Sequence, residues 1–196
     1  MNVLRKCAWS CCLGAALLAG HAGAQSTAVA DVTYSDSIAL GGQPLQLNGA
    51  GVRYKTVFKV YTIGLYLTAK AASAEEAYAA PGPKRISMTL LREIDSNELG
   101  KAFTKGFQEN APKEQMSRLI PGLIRQGEIF ATQKKLLAND TITVDWVPGM
   151  GTLISVKGVA QGAPIQEPEF FVAMMRIWLG QHPADWKLKE ALLGKT

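Results

Sequence analysis

The residue pattern predicts an α+β domain: strands first, then helices, a hairpin and further helices. Three observations carry that reading. Pro44–Leu67 is rich in strand formers and ends in an almost wholly apolar run from Val57. After Asp95 the apolar residues recur every three or four positions, which is the period of a helix face. Thr141–Val147 and Thr152–Val156 alternate around Pro148-Gly149-Met150-Gly151, a hairpin signature. Strands and helices come in blocks and not in βαβ alternation, so a parallel doubly wound sheet is excluded.

Taken in order, Val32–Ile38 and Pro44–Leu67 read as strands, and Val57–Leu67 is apolar enough to be buried on both faces. Ala71–Pro83 reads as a loop with a short helical turn around Glu75, closed by Pro81-Gly82-Pro83. Ile86–Leu91 reads as another strand. Asp95 or Ser96 can cap a helix that buries Leu99, Phe103 and Phe107. A second helix places Ile120, Leu123, Ile124, Gly127, Phe130 and Ala131 on one stripe, with Pro121 in its first turn. After the hairpin, Pro168 opens an apolar helix over Glu169–Leu179 that Gly180 can end. Asp185 caps a short last helix ending at Gly194. There is no internal repeat and no low-complexity block.

The first 24 residues read as a secretory signal: Arg5 and Lys6, an apolar stretch from Cys7 to Ala19, and Ala22-Gly23-Ala24 before Gln25. The apolar stretch is short for a membrane span of about 20 residues, and no later stretch offers one. The expected organisation is a signal peptide over 1–24 and one domain over 25–196, periplasmic or secreted. Cleavage removes Cys7, Cys11, Cys12 and His21, leaving no cysteine and one histidine, His182. Disulfides and cysteine nucleophiles are then excluded, and a His-rich metal site is disfavoured. Without Arg5 and Lys6 the 21 basic residues become 19 against 16 acidic, a net charge of +3. So small and dispersed an excess argues against nucleic acid as a partner.

Few residues offer chemistry. A Ser-His-Asp triad needs an imidazole, and His182 lies in a Gly180-Gln181-His182-Pro183 link where solvent exposure or a local hydrogen bond is the ordinary role. Glu75-Glu76 and Glu167/Glu169 stand in polar surroundings, and Gly149-Met150-Gly151 lacks the following helix of a phosphate loop. Lys101 and Lys105 share a helix face that reads as solvated, with a membrane or acidic partner as the alternative. Met174, Met175 and Trp178 read as helix core, with a cleft lining as the alternative. What remains is Arg53, after Gly49 and Gly51 and before the apolar run, with Tyr61 and Tyr66 inside that run. A charge so placed is either paired inside the protein or turned to a ligand. Whether Arg53 and Tyr61 share a face depends on the turn between them.

Asn48-Gly49-Ala50-Gly51-Val52-Arg53, followed by Lys59-Val60-Tyr61-Thr62-Ile63-Gly64-Leu65-Tyr66-Leu67, resembles the opening strands of the chalcone isomerase-like family. Ile177-Trp178-Leu179-Gly180, Pro183 and Leu188 through Gly194 resemble the end of its bacterial members. The resemblance implies an open-faced β-sandwich, a large antiparallel sheet covered by a layer of helices with a ligand cleft between. It aligns Arg53 with the essential arginine of the plant isomerases, which close a flavanone ring by intramolecular addition of a phenolate. Their other polar groups fall at Tyr61 (with Thr62 one place along), near Leu99, near Gly106 and near Ile177 beside Trp178, where this chain is mostly apolar. The fatty-acid-binding branch, with an arginine and a Lys-Val-Tyr tyrosine on a carboxylate, is matched better by Lys59-Val60-Tyr61.

The resemblance therefore implies a protein that binds a small apolar carboxylate, fatty-acid-like, without efficient chalcone cyclisation. Arg53, Tyr61 and Thr62 would lie at the head group and Leu99, Phe103, Ile177 and Trp178 along the tail. One alternative is an isomerase (intramolecular lyase) on another substrate, with Arg53 as electrophile and Tyr61 as acid or base. A second is an interaction module with no catalytic role, its protein partner unidentified. No cofactor, metal, nucleic acid or transmembrane segment is implied.

Overall fold

Seven of the strands form one large antiparallel sheet, crossed on one side by helices, in a computed structural model that describes residues 25–133 and 135–195. The expected signal peptide over 1–24 lies outside the described residues. In chain order the strands are β1 (Ser26–Val29), β2 (Val32–Ser35), β3 (Ser37–Leu40), β4 (Gln43–Lys55), β5 (Phe58–Leu67), β6 (Lys84–Leu90), β7 (Ile94–Asp95), β8 (Lys135–Leu136), β9 (Thr141–Val147), β10 (Gly151–Val156) and β11 (Val159–Ala160). The helices are α1 (Ala74–Ala79), α2 (Ser96–Asn110), α3 (Met116–Thr132), α4 (Pro168–Leu179) and α5 (Trp186–Leu192). The large sheet runs β11-β10-β9-β6-β5-β4-β3, while β1-β2 and β7-β8 form separate pairs.

Alternation along the strands divides the side chains between two layers. Tyr61, Ile63, Leu65 and Leu67 of β5 join Ile86, Met88 and Leu90 of β6 beneath the helices, in one core with Phe103, Phe107, Phe130, Phe170, Met174, Met175 and Trp178. Met174 and Met175 are thus core, as the helix pattern predicts. Tyr34, Leu45, Leu47 and Tyr66 make a smaller core on the other side, covered by the β1–β2 hairpin.

Two corrections concern burial. Val57–Leu67 is not buried throughout: Tyr61–Leu67 are, but Val57 is 76% and Phe58 60% exposed at the hairpin tip, outside the helix layer. The apolar stripe expected on α3 holds only in part: Phe130 is buried and Leu123 packs against the core, but the other members face outward. Ile120 and Ile124 are exposed, and the buried face is Leu119, Gly122, Gln126, Ile129 and Phe130. Pro121 lies inside the helix, not in its first turn. Close approach settles which face packs: a Cβ on Gly122 would come within 2.2 Å of the Phe170 ring, so only glycine lets α3 meet α4 there.

The capping expectations hold. The Asp95 side chain accepts from the Glu98 amide at the start of α2. Asp185 accepts from the Lys187 and Leu188 amides at the start of α5. The glycine pair before Arg53 also gains its reason. A Cβ at Gly49 would lie 2.0 Å from the Ala191 carbonyl oxygen, and one at Gly51 2.7 Å from the Ala191 Cβ. Bare backbone at both positions lets α5 lie directly on β4, which carries Asp185 to Arg53.

Candidate functional site

A single extra residue decides where Tyr61 points. Lys55 pairs with Phe58 and Tyr54 with Lys59, so an unbroken register would set Arg53 opposite Val60. The register shifts after Arg53, and Arg53 stands opposite Tyr61. Direct partners share a face, and the bulge at Val60 therefore turns Tyr61 to the side that carries Arg53, under the helices.

There the two residues line a cleft of about 530 Å³ between the sheet, α2 and the link from α4 to α5. Val60, Ile94, Leu99, Phe103, Gly106 and Ile177 form its apolar wall. Leu99, Phe103, Ile177 and Tyr61 are each at most 6% exposed. Lys55, Lys101, Lys105, Glu98, Glu109 and His182 stand on the rim. Lys101 is occupied by Glu98 at 2.8 Å and Lys105 by Glu109 at 3.6 Å, both pairs exposed, in keeping with a solvated helix face. The His182 side chain is exposed, and its backbone N–H donates to Asn110 Oδ1 at 2.8 Å.

Arg53 and Tyr61 present donors to the cleft. Trp178 Nε1–H donates to Tyr61 Oη at 2.9 Å, which fills acceptor capacity on the phenol and leaves its own proton to give. Burial pushes the Tyr61 pKa up to about 12, with the Trp178 bond and the Arg53 charge opposing in part, so the phenol stays neutral. Arg53 has donors only. Its partner Asp185 touches it loosely, Nη1 to Oδ2 at 3.7 Å. Asp185 is otherwise committed to backbone, with Oδ2 accepting from the Tyr54 N–H at 3.0 Å and Oδ1 from Lys187 and Leu188 at 2.9 and 3.3 Å. The guanidinium thus retains donors for a ligand.

Of the seven residues expected at the ligand, Arg53, Tyr61, Leu99, Phe103 and Ile177 line the cleft. Trp178 does not reach it. The indole is 1% exposed, edge-on to Phe103 with ring centres 5.6 Å apart, and acts through Tyr61. Thr62 is a correction: strand alternation turns it to the opposite side of the sheet, where its hydroxyl bonds Tyr34 Oη at 2.8 Å. Sequence reasoning saw Asp185 as a helix cap and missed it as the partner of Arg53. The cap pattern was the only local signal, since the contact depends on how α5 lies on β4.

Fold and site together define a small sheet-and-helix protein with a cleft whose buried lining is apolar around Arg53 and Tyr61. Residues 26–194 match the family described as chalcone isomerase-like, and the chain belongs to that family. Its structure is similar to the crystal structure of a fatty-acid binding protein of Arabidopsis thaliana, with a TM-score of 0.66 and 16% sequence identity. That similarity covers 86% of this chain and 96% of the plant protein. No curated protein matches the sequence.

Proposed function

We propose that the protein binds a small apolar carboxylate, of the fatty-acid class, without turning it over. The carrying observation is the cross-strand pair: Arg53 and Tyr61 bring hydrogen-bond donors side by side into a cleft whose buried lining is apolar. A carboxylate is acceptor-only and charged, which suits a guanidinium with a neutral hydroxyl donor beside it. An acyl tail suits Leu99, Phe103 and Ile177, and a volume of about 530 Å³ lies in the range of small-molecule sites. The family membership and the ligand named for the plant protein of like fold support the same reading.

Calorimetry with a medium-chain fatty acid and the matching alcohol tests it. Arg53→Ala should weaken the acid by about 1.5–3 kcal/mol, roughly ten- to hundredfold, and leave the alcohol nearly unchanged. Tyr61→Phe should weaken the acid by about 1 kcal/mol. The backbone donors that hold Asp185 remain in both variants. Equal losses for acid and alcohol would make Arg53 a support of the fold and sink the reading.

Export belongs to the same proposal, on the strength of Arg5-Lys6, the apolar stretch and Ala22-Gly23-Ala24. The intact mass of the protein recovered outside the cytoplasm should correspond to a chain starting at or near Gln25. A product that keeps residues 1–24 would overturn it.

A further inference from the structure

The tip of the β4–β5 hairpin has a composition that the fold does not call for. Lys55 pairs with Phe58, so Thr56 and Val57 make the turn by themselves. Two-residue turns need left-handed backbone and favour Asn or Gly. Here Thr56, a β-branched residue, holds φ at +59°, a conformation such residues seldom adopt. Val57 and Phe58 then stand side by side in water, 76% and 60% exposed. A turn that served only the fold would be polar and relaxed.

The surroundings of the tip are basic. Among the described residues Lys55, Lys59 and Arg92 form no ion pair. The Arg92 guanidinium lies 5.4 Å from the centre of the Phe58 ring. The nearby acids are committed elsewhere, Glu93 to Lys135 at 2.7 Å and Asp95 to the start of α2. Lys55 and Val60 line both the cleft and a second hollow walled by Phe58 and Arg92, so the tip stands at the rim of the cleft.

We propose that this hairpin tip docks the protein on an anionic lipid membrane. Val57 and Phe58 enter the boundary between head groups and acyl chains, while Lys55, Lys59 and Arg92 meet the phosphates. The combination distinguishes this occupant from a protein groove. Exposed apolar side chains flanked by cations on long stems that form no ion pair match a surface that is negative outside and apolar just beneath. The inference goes beyond carboxylate binding and stands without it. Given that binding, docking would bring the cleft rim against the phase where an apolar acid resides.

The test is co-sedimentation of the full mature chain with vesicles of phosphatidylcholine, alone or with about a quarter phosphatidylglycerol. Binding should appear with the anionic vesicles, weaken as salt rises, and be far lower on neutral ones. Val57→Asp with Phe58→Asp, and separately Lys59→Glu with Arg92→Glu, should each weaken it at least about tenfold. Free-fatty-acid calorimetry on both variants should match the parent protein, which separates loss of docking from loss of ligand binding. Circular dichroism checks that each variant folds, and either variant alone suffices for the test. No binding of the parent to anionic vesicles, equal binding to neutral ones, or undiminished binding by a folded variant would overturn the proposal.

Discussion

What Tyr61 can offer a ligand is set by a neighbour that never touches the cleft. The Trp178 indole gives its hydrogen to Tyr61 Oη, so the phenol's remaining role is to donate. Arg53 keeps donors in the same direction because Asp185 is held mainly by three backbone amides. The positions where the resemblance places the plant isomerases' other polar groups fall at or near Leu99, Gly106 and Ile177, and these three line the apolar wall. Positioning supplies much of the rate in an intramolecular addition. With Leu99, Gly106 and Ile177 standing where those polar groups would be, naringenin chalcone should not be cyclised above its spontaneous rate. A stopped-flow trace with a saturable rate, abolished in Arg53→Ala, would promote the isomerase reading. Arg53 itself was legible in the sequence as a charge between a glycine pair and an apolar run. Its face was not, because one bulged residue at Val60 reverses the side on which Tyr61 lies, and no local composition marks that bulge.

At the scale of elements, caps and turns were legible because they depend on residues a few positions apart, as with Asp95 for α2, Asp185 for α5 and the hairpin at Pro148–Gly151. The face of α3 was legible only in part, at Leu123 and Phe130. The helix carries apolar residues on two sides, and the packed side is chosen by Gly122 against Phe170, a contact between distant elements. The glycines under α5 make the same point in a form that mutation can test. At Gly51 the obstacle to a side chain is the Ala191 Cβ at 2.7 Å, with Leu188 Cδ1 at 3.0 Å, whereas at Gly49 it is the Ala191 carbonyl oxygen at 2.0 Å. Both glycine-to-alanine changes should destabilise, by about 1–3 kcal/mol for overpacking. Ala191→Gly should recover part of the loss in Gly51→Ala and none in Gly49→Ala, because it removes a methyl group and leaves the carbonyl in place. Urea unfolding of the three single and two double variants measures the couplings. Equal rescue at both sites would mean that α5 does not rest on β4 as described.

The whole molecule keeps the two faces of its sheet for different purposes. One carries the helix layer, the main core and the cleft, and the other packs the β1–β2 hairpin over Tyr34, Leu45, Leu47 and Tyr66. The succession of strand and helix blocks, and the family, could be read from the chain, but not the second, smaller core, because it brings Tyr34 of β2 onto Leu45 and Leu47 of β4 and Tyr66 of β5, a contact between elements distant in sequence. Phenols that are buried in both layers, and half-buried on α1, tie the fold to pH. Burial pushes Tyr61, Tyr66 and Tyr78 each to about 12, from an ordinary value of 10.0. Below pH 10 both native and unfolded chains hold these protons, and the three groups add no pH dependence. Between about pH 10 and 12 the unfolded chain has released them while the native chain retains them, so the native state binds more protons and stability falls as pH rises. Melting temperatures should therefore be level up to about pH 9 as far as these groups are concerned and then drop steeply through pH 10–12. Tyrosinate absorbance should rise together with unfolding, and Tyr61→Phe, compared with its own melting point at neutral pH, should show a shallower drop. Full tyrosinate absorbance near pH 10 with the far-ultraviolet dichroism intact would show that solvent reaches these phenols in the native state, and the packing around Tyr61 at the head of the cleft would have to be redrawn.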